Sequence, residues 1–279
     1  MFVVRLASGV VLLAAAALLF WFGGFPFAIV LCLISCIGYR ELLNAMFYKK
    51  DENKRAVKCP EIIGYLGIIG YYAAVYFGGK TDYLLLAIVA TFLITLFAYV
   101  LTFPKFYVQE VAEYLFAFLY APVMLGFLYL TRQLEYGNIL VWLILISSWG
   151  SDTLAYVFGR LFGKRKVFPV LSPKKTLAGC VGGVLGVMAL GAVYSYFTLY
   201  PLLDNLLVVP ILAVISGGGA IMSMLGDLAA SAIKRNMEIK DYGKLIPGHG
   251  GIMDRFDSVI ITAPCVYFLS ILSLPYLFG

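Results

Sequence analysis

Apolar residues run along this chain in nine stretches, approximately 5–23, 25–46, 61–79, 82–103, 112–131, 137–158, 176–199, 206–233 and 258–278. A helix needs roughly 20 residues to cross a hydrocarbon core, so the pattern predicts about nine transmembrane helices. The eighth stretch is too long for a simple span and predicts a helix that continues past the bilayer. The connections at 23–26, 79–82, 132–137 and 200–205 are short, whereas those at 47–60, 159–175 and 234–257 are long. Long loops on a rigid scaffold are where binding groups concentrate. No polar stretch is long enough to bury a core of its own, so residues 1–279 read as a single membrane domain of the all-α, polytopic class. Within it, 1–135 reads as a lipid-embedded scaffold and 136–279 as the half that carries the polar motifs.

Composition agrees with this reading: 62% of residues are hydrophobic, 13% are charged and the mean hydropathy is +0.94, against about half apolar and a quarter charged in soluble domains. The five cysteines, Cys32, Cys36, Cys59, Cys180 and Cys265, are scattered without a CxxC pair and read as small core hydrophobes. The run from Arg5 to Phe22 resembles a secretory signal, but many spans follow and no small-residue cleavage site precedes a polar start, so a retained first helix is expected.

Charge orients the bundle. Threading nine helices from a cytoplasmic N-terminus puts all 21 Lys and Arg on the inner side except Lys80 and Arg132, the asymmetry expected of cytoplasmic loops. A helix missed or added early in the chain would destroy that split. The long loops, and with them the function, are therefore expected on the cytoplasmic face of the cell's inner membrane. The formal net charge of +6 gathers there, where it attracts anionic lipid headgroups and polyphosphates. Ordinary positive-inside bias explains the cluster over 49–58 equally well, but not the ordered polar motifs of the last two cytoplasmic loops. Membrane lipids are expected as surroundings, and no nucleic acid as a partner.

Four polar groups stand out. Asp152, in Ser147-Ser148-Trp149-Gly150-Ser151-Asp152-Thr153, lies well inside the sixth apolar stretch, where a carboxylate is costly unless paired or metal-bound. Ser148, Asp152 and Tyr156 share one helix face. The next loop ends in Ser172-Pro173-Lys174-Lys175-Thr176 at the start of the seventh helix, where free backbone N–H groups and lysines make a plausible anion site; by itself this motif reads as readily as a snorkelling lysine pair. Asp227 follows Gly226, with Ser231, Lys234 and Arg235 at i+4, i+7 and i+8. That face suits a metal-bound phosphate and its free oxygens, or a purely structural Asp–Arg pair.

The fourth group is the loop from Lys240-Asp241 through Gly243, Pro247, Gly248, His249, Gly250 and Gly251 to Asp254-Arg255-Phe256-Asp257-Ser258. Its glycines permit a tight backbone that can approach a ligand closely. Asp254, Asp257 and Ser258 would project from one face of the ninth helix start. One acidic residue there complements the helix dipole; two beside an arginine at a membrane boundary suit a cation site. His249, the only histidine, reads as a general base, a phosphate donor or a loop anchor.

Ser231-Ala232-Ile233-Lys234-Arg235, Lys240-Asp241, Pro247-Gly248-His249-Gly250-Gly251 and Asp254-Arg255-Phe256-Asp257, in that order, resemble the signature of the phosphatidate cytidylyltransferase family. Segments 151–156, 172–176 and 226–227 resemble further family elements, so the likeness covers at least the C-terminal half. It implies the reaction of CTP with phosphatidic acid to give CDP-diacylglycerol and pyrophosphate, with Mg²⁺. It further implies that Asp227 and Asp254 are metal ligands of a two-cation site whose second cation is potassium, and it suggests a homodimer. With it, Asp152, Asp227, Lys234, Arg235, Asp254 and Asp257 become the candidate catalytic residues. Ser172, Lys174, Lys175, Thr176, Ser231, Lys240, Asp241, His249, Gly250, Gly251 and Arg255 become candidates for binding substrate. Two positions depart from the family: Ala230 stands where Glu is frequent, and Ala178 where Glu or Gln is frequent. Neither carboxylate is then essential in this chain, unless another residue substitutes. A transferase acting on another lipid phosphate is the alternative within the enzyme class. A transporter or channel is disfavoured, because the motifs lie at one face rather than at midplane and no inverted repeat is evident.

Overall fold

The computed structural model describes residues 2–47, 58–78, 81–245 and 250–278. The basic residues Lys49, Lys50, Lys54 and Arg55, the predicted external Lys80, and Pro247, Gly248 and His249 lie outside the described residues. Helix falls on every apolar stretch read above. Among the described residues, seven helices are long and apolar enough to cross a membrane, and the chain is an all-α, polytopic integral membrane protein. Of the other two stretches, the first contributes a shorter apolar helix over Leu13–Phe22, and the third is α-helical for only 15 residues before it widens.

Two compact units make up the chain: Met1–Leu130 with Met237–Arg255, and Thr131–Asn236 with Phe256–Gly279. The first begins with α1 (Phe2–Phe22), α2 (Gly24–Phe47) and α3 (Cys59–Ala73), which ends in a π turn over Ala74–Gly78. Next comes α4 (Thr81–Thr102), then α5 (Val108–Phe118), which passes through a second π turn, Leu119–Val123, into α6 (Met124–Gln133). Pro122 sits in that second turn; lacking an N–H, it breaks the regular ladder and leaves carbonyls to be satisfied. The hydroxyls of Tyr72 and Tyr71 donate to the carbonyls of Pro122 and Val123 at 3.3 and 3.1 Å. Phe27, Leu31, Leu42, Ile68, Tyr71, Tyr114 and Leu125 form the buried centre of this unit. At its edge, Lys58 donates to Glu110 at 3.0 Å, and Glu110 also accepts the Tyr107 N–H at the start of α5.

The second unit is built on α7 (Gly137–Phe162), a hairpin of β1 (Lys166–Phe168) and β2 (Ser172–Thr176), α8 (Leu177–Thr198), the short α9 (Tyr200–Leu203), α10 (Val208–Asn236) and α11 (Met253–Phe278) from Phe256 onward. Small residues let its helices close up, as in membrane packing generally. Gly182 lies against Phe158, Gly183 against Ala155 and Met224, and Gly186 against Leu154, so these glycines pack helices of one chain. Ser147 donates to the Ser216 carbonyl at 3.1 Å, and the Ser151 and Ser223 hydroxyls meet at 3.1 Å.

The hairpin differs from the sequence reading, which has only a loop over 159–175. β1 and β2 pair antiparallel, with Lys166 opposite Thr176 and Phe168 opposite Ser172. Strands this short carry no usable alternation, and it is Pro169 in the turn, with Val167 and Phe168 before it, that favours the pairing. Helices α7 and α10 outrun the apolar stretches 137–158 and 206–233 because hydrogen bonding continues through polar residues. Arg160, Lys234 and Arg235 in their last turns complement the negative end of the helix dipole.

Candidate functional site

In the second unit the hairpin carries Lys174 and Lys175 to a pocket of about 140 Å³, lined also by Asp152 and Tyr156 of α7, Thr176, Cys180 of α8 and Met224 of α10. Lys175 lines the pocket and reaches α10. Its Nζ lies 2.7 Å from Asp227 Oδ2 and donates to the Met224 carbonyl at 3.4 Å. The pair is not sealed from solvent, the Lys175 and Asp227 side chains being 16% and 31% exposed, so it is a site charge rather than a core anchor. Lys174 and Asp152 are exposed, Ser172 is half-buried and Thr176 is buried. Thr176 acts locally, its Oγ1 accepting the Gly179 N–H at 3.2 Å and so capping α8. Ser148, expected on one face with Asp152, is buried and turns its hydroxyl back onto the Ile144 carbonyl.

Gly226 brings α10 against α11. A Cβ at Gly226 would lie 2.6 Å from the Asp257 carbonyl oxygen, so only glycine allows the two backbones this approach. The result is that Asp257 feels the charges of Asp227, Lys234 and Asp152. Three carboxylates and two lysines thus come together from α7, β2, α10 and α11, although no short spacing in the sequence links them. Ser231 and Lys234 are half-buried and Arg235 is exposed on α10. Among the described residues no three His, Cys, Asp or Glu form a protein-only metal cage. The donor chemistry nonetheless fits magnesium, a hard cation commonly held by one or two carboxylates plus phosphate oxygens and water; Lys175 engages only Oδ2 of Asp227.

The first unit holds the glycine-rich loop, and here a residue passed over in the sequence takes a central place. Glu41 of α2, 8% exposed, accepts the Ile252 N–H on Oε1 at 3.1 Å and the Met253 N–H on Oε2 at 2.9 Å. Asp254, equally buried, accepts the N–H groups of Tyr242 and Gly251 on Oδ2 at 2.9 and 3.0 Å. The loop is therefore tied down by two buried carboxylates through four backbone donors. Its glycines follow from this. A Cβ at Gly243 or Gly251 would run into the Glu41 carboxylate, and one at Gly250, which has φ +88°, would lie 2.7 Å from Asp254 Oδ2. The close approach expected of these glycines is, within this unit, an approach to carboxylates. Lys240 and Asp241 are exposed ahead of the loop. Arg255 is half-buried, and its Nε has no partner among the described residues. His249 is outside them.

One signal could have found Glu41, since an ionisable residue inside an apolar stretch is a functional candidate by default. It stands beside Arg40 and near the basic cluster over 49–58, and is passed over in the sequence reading above.

Comparison with known proteins covers nearly the whole chain. The model of the cytidylyltransferase family matches residues 3–272. A phosphatidate cytidylyltransferase of Staphylococcus saprophyticus is 34% identical over 251 residues, covering 89% of this chain and 91% of the relative. One of Staphylococcus haemolyticus is 31% identical over 274 residues, with 96% and 98% covered. One of Bacillus subtilis is 30% identical over 274 residues, with 95% and 96% covered.

Proposed function

Because the chain belongs to the cytidylyltransferase family and is a CTP-using nucleotidyltransferase, we propose that it converts CTP and phosphatidate to CDP-diacylglycerol and pyrophosphate in phospholipid biosynthesis. The relatives' names supply the acceptor lipid. The observation that supports this reading most is the pocket of the second unit, where Lys174, Lys175 and Asp152 line one cavity and Lys175 pairs with Asp227 at 2.7 Å. Lysines and carboxylates mixed in this way suit a polyphosphate and its counter-cation.

A phosphate oxygen of phosphatidate attacks the α-phosphorus of CTP in line, the bond from that phosphorus to the oxygen bridging the β-phosphate breaks, and pyrophosphate departs with the electron pair. Such transfers need positioning and charge stabilisation rather than covalent participation by the protein. Lys174, Lys175, Lys234, Arg235 and Arg255 are the proposed phosphate contacts. The acceptor needs no dedicated base, because a phosphate monoester is already largely ionised near neutral pH, its second pKa being about 6; His249 is accordingly assigned no proton transfer. Asp227 and Asp254 are the proposed ligands of magnesium, which when bound neutralises the triphosphate and the departing pyrophosphate. Potassium is the proposed second cation. The proposal also takes nine spans, a cytoplasmic N-terminus and a site at the cytoplasmic face of the inner membrane, on the strength of the Lys and Arg distribution. A homodimer is proposed from the resemblance alone.

The test is conversion of radiolabelled CTP to a chloroform-soluble product by the purified protein with phosphatidate and Mg²⁺, beside an Asp227→Asn control. Label entering lipid only with both substrates, and only in the unmutated protein, is the expected result. Label entering lipid only when a different lipid phosphate is supplied would replace the acceptor, and no transfer to any lipid phosphate would overturn the reading.

A further inference from the structure

We propose that Glu41 is a positioning residue for the transfer: it holds the first turn of α11, and through it the carboxylate of Asp254, in working geometry. The inference rests on the reading above, in which Asp254 serves the reaction, and assigns to α2 a role that the signature in the C-terminal half does not contain.

The first N–H groups of a helix have no partner within the helix and carry its positive dipole end. At α11 these include the N–H of Met253, preceded by that of Ile252, and Glu41 takes both, one on each carboxylate oxygen. The next residue, Asp254, turns its own carboxylate back to the N–H groups of Tyr242 and Gly251. Glu41 therefore grips the residue immediately before Asp254, and the loop leading into it, from a separate helix. The field of Asp254 also opposes a charge on Glu41, and the backbone N–H groups of Met253 and Ile252 counter it.

Space has been left for this arrangement. Gly243 and Gly251 come from either side of the loop, and a side chain at either would collide with the Glu41 carboxylate. The other buried carboxylates of this unit are engaged elsewhere, Glu110 with Lys58 and the cap of α5, and Glu61 with the Tyr65 hydroxyl of its own helix. Glu41 alone among these three holds the backbone that leads into Asp254. In the Glu41→Gln variant the amide nitrogen faces an N–H that it cannot accept from, so one of the two bonds is lost with little change in volume.

The experiment is steady-state kinetics of the full-length protein in detergent, combined with hydrogen exchange of the peptide covering residues 250–255. Glu41→Gln is expected to lower kcat by roughly tenfold to a hundredfold, the scale of a catalytic group misplaced by a fraction of an ångström. KM for CTP and for phosphatidate should stay within about twofold, and exchange at Ile252 and Met253 should speed up. Glu41→Asp should recover part of kcat, and Glu61→Gln, equally buried, should leave it unchanged. If Glu41→Gln does not accumulate as folded protein, Gly243→Ala puts a methyl group against the Glu41 carboxylate and is expected to give the same loss of kcat. Normal kcat in both variants, or a loss matched by Glu61→Gln, would overturn the proposal. Absence of transfer by the unmutated protein is a separate outcome that overturns the reaction itself, and with it the role of Glu41.

Discussion

Lys175 and Asp227, 52 positions apart in the chain, meet at 2.7 Å. The pair closes β2 onto α10, and its lysine lines a pocket together with Asp152 and Lys174. Because both partners retain access to solvent, the pair contributes little to stability, and in the proposed reaction it opens to exchange its partners for a phosphate and a metal ion.

Asp227→Asn is therefore expected to separate activity from folding. Transfer of label from CTP to lipid should fall by about two orders of magnitude or more, the scale at which charge stabilisation acts in phosphoryl-type transfer. The melting temperature in detergent should stay within a few degrees, as for a surface charge change. A variant with near-normal turnover would remove Asp227 from the site.

Asp254 should behave differently according to what replaces it. Asn keeps an oxygen that can accept the Tyr242 and Gly251 N–H groups, so Asp254→Asn is expected to remain folded and lose turnover. Asp254→Ala leaves two buried donors unpaired, at a cost of about 1–3 kcal/mol each, and should melt earlier as well. Thermal scans and transfer assays on the two proteins together check this contrast. Equal melting temperatures would mean that the loop does not depend on the carboxylate.

Gly226→Ala tests the approach of α10 to α11. The added methyl would sit 2.6 Å from the Asp257 carbonyl oxygen, a backbone atom that can yield only if the helices part. Overpacking of this kind costs about 1–3 kcal/mol, and it should also reduce transfer by displacing Asp227 from Asp257. Thermal scans with activity at a permissive temperature measure both.

Metal removal gives a further outcome. Treatment with a chelator should abolish transfer and added Mg²⁺ should restore it, since the described carboxylates offer hard oxygen donors without a protein-only cage. Full activity after exhaustive chelation would exclude the proposed cation. The same series run with potassium replaced by a bulky organic cation tests the second one.

Some of this was readable from the sequence and some was not, for physical reasons. Helix length against bilayer thickness is a local property, so the apolar stretches located the long helices to within a few residues, while the short α9 falls in the connection read over 200–205 and α5 and α6 share one stretch. Asp152 and Asp227 stood out because a carboxylate in an apolar run is costly wherever it occurs. Lys175 was legible only as half of an ambiguous lysine pair; its partner Asp227 is fixed by the hairpin, whose strands of three and five residues carry no period. Glu41 carried the same signal inside α2, but its partners were not legible because they are backbone N–H groups, which every residue but proline possesses and no side chain advertises. The glycines were noticed, but the atoms that require them lie on another helix.

The distance along the chain between Glu41 and its partners also has a consequence for how the protein is made. Ile252 lies 211 positions after Glu41, and the unit that contains both is interrupted by residues 131–236. During synthesis α2 enters the membrane long before the donors that satisfy its carboxylate exist. Until they arrive, that charge must be sheltered by water, by lipid headgroups or by an insertion factor, because an unpaired carboxylate is costly in hydrocarbon. The unit started first thus stays incomplete until residues 237–255 are made, and a chain halted before Met253 leaves the ribosome with its earliest buried acid still unsatisfied.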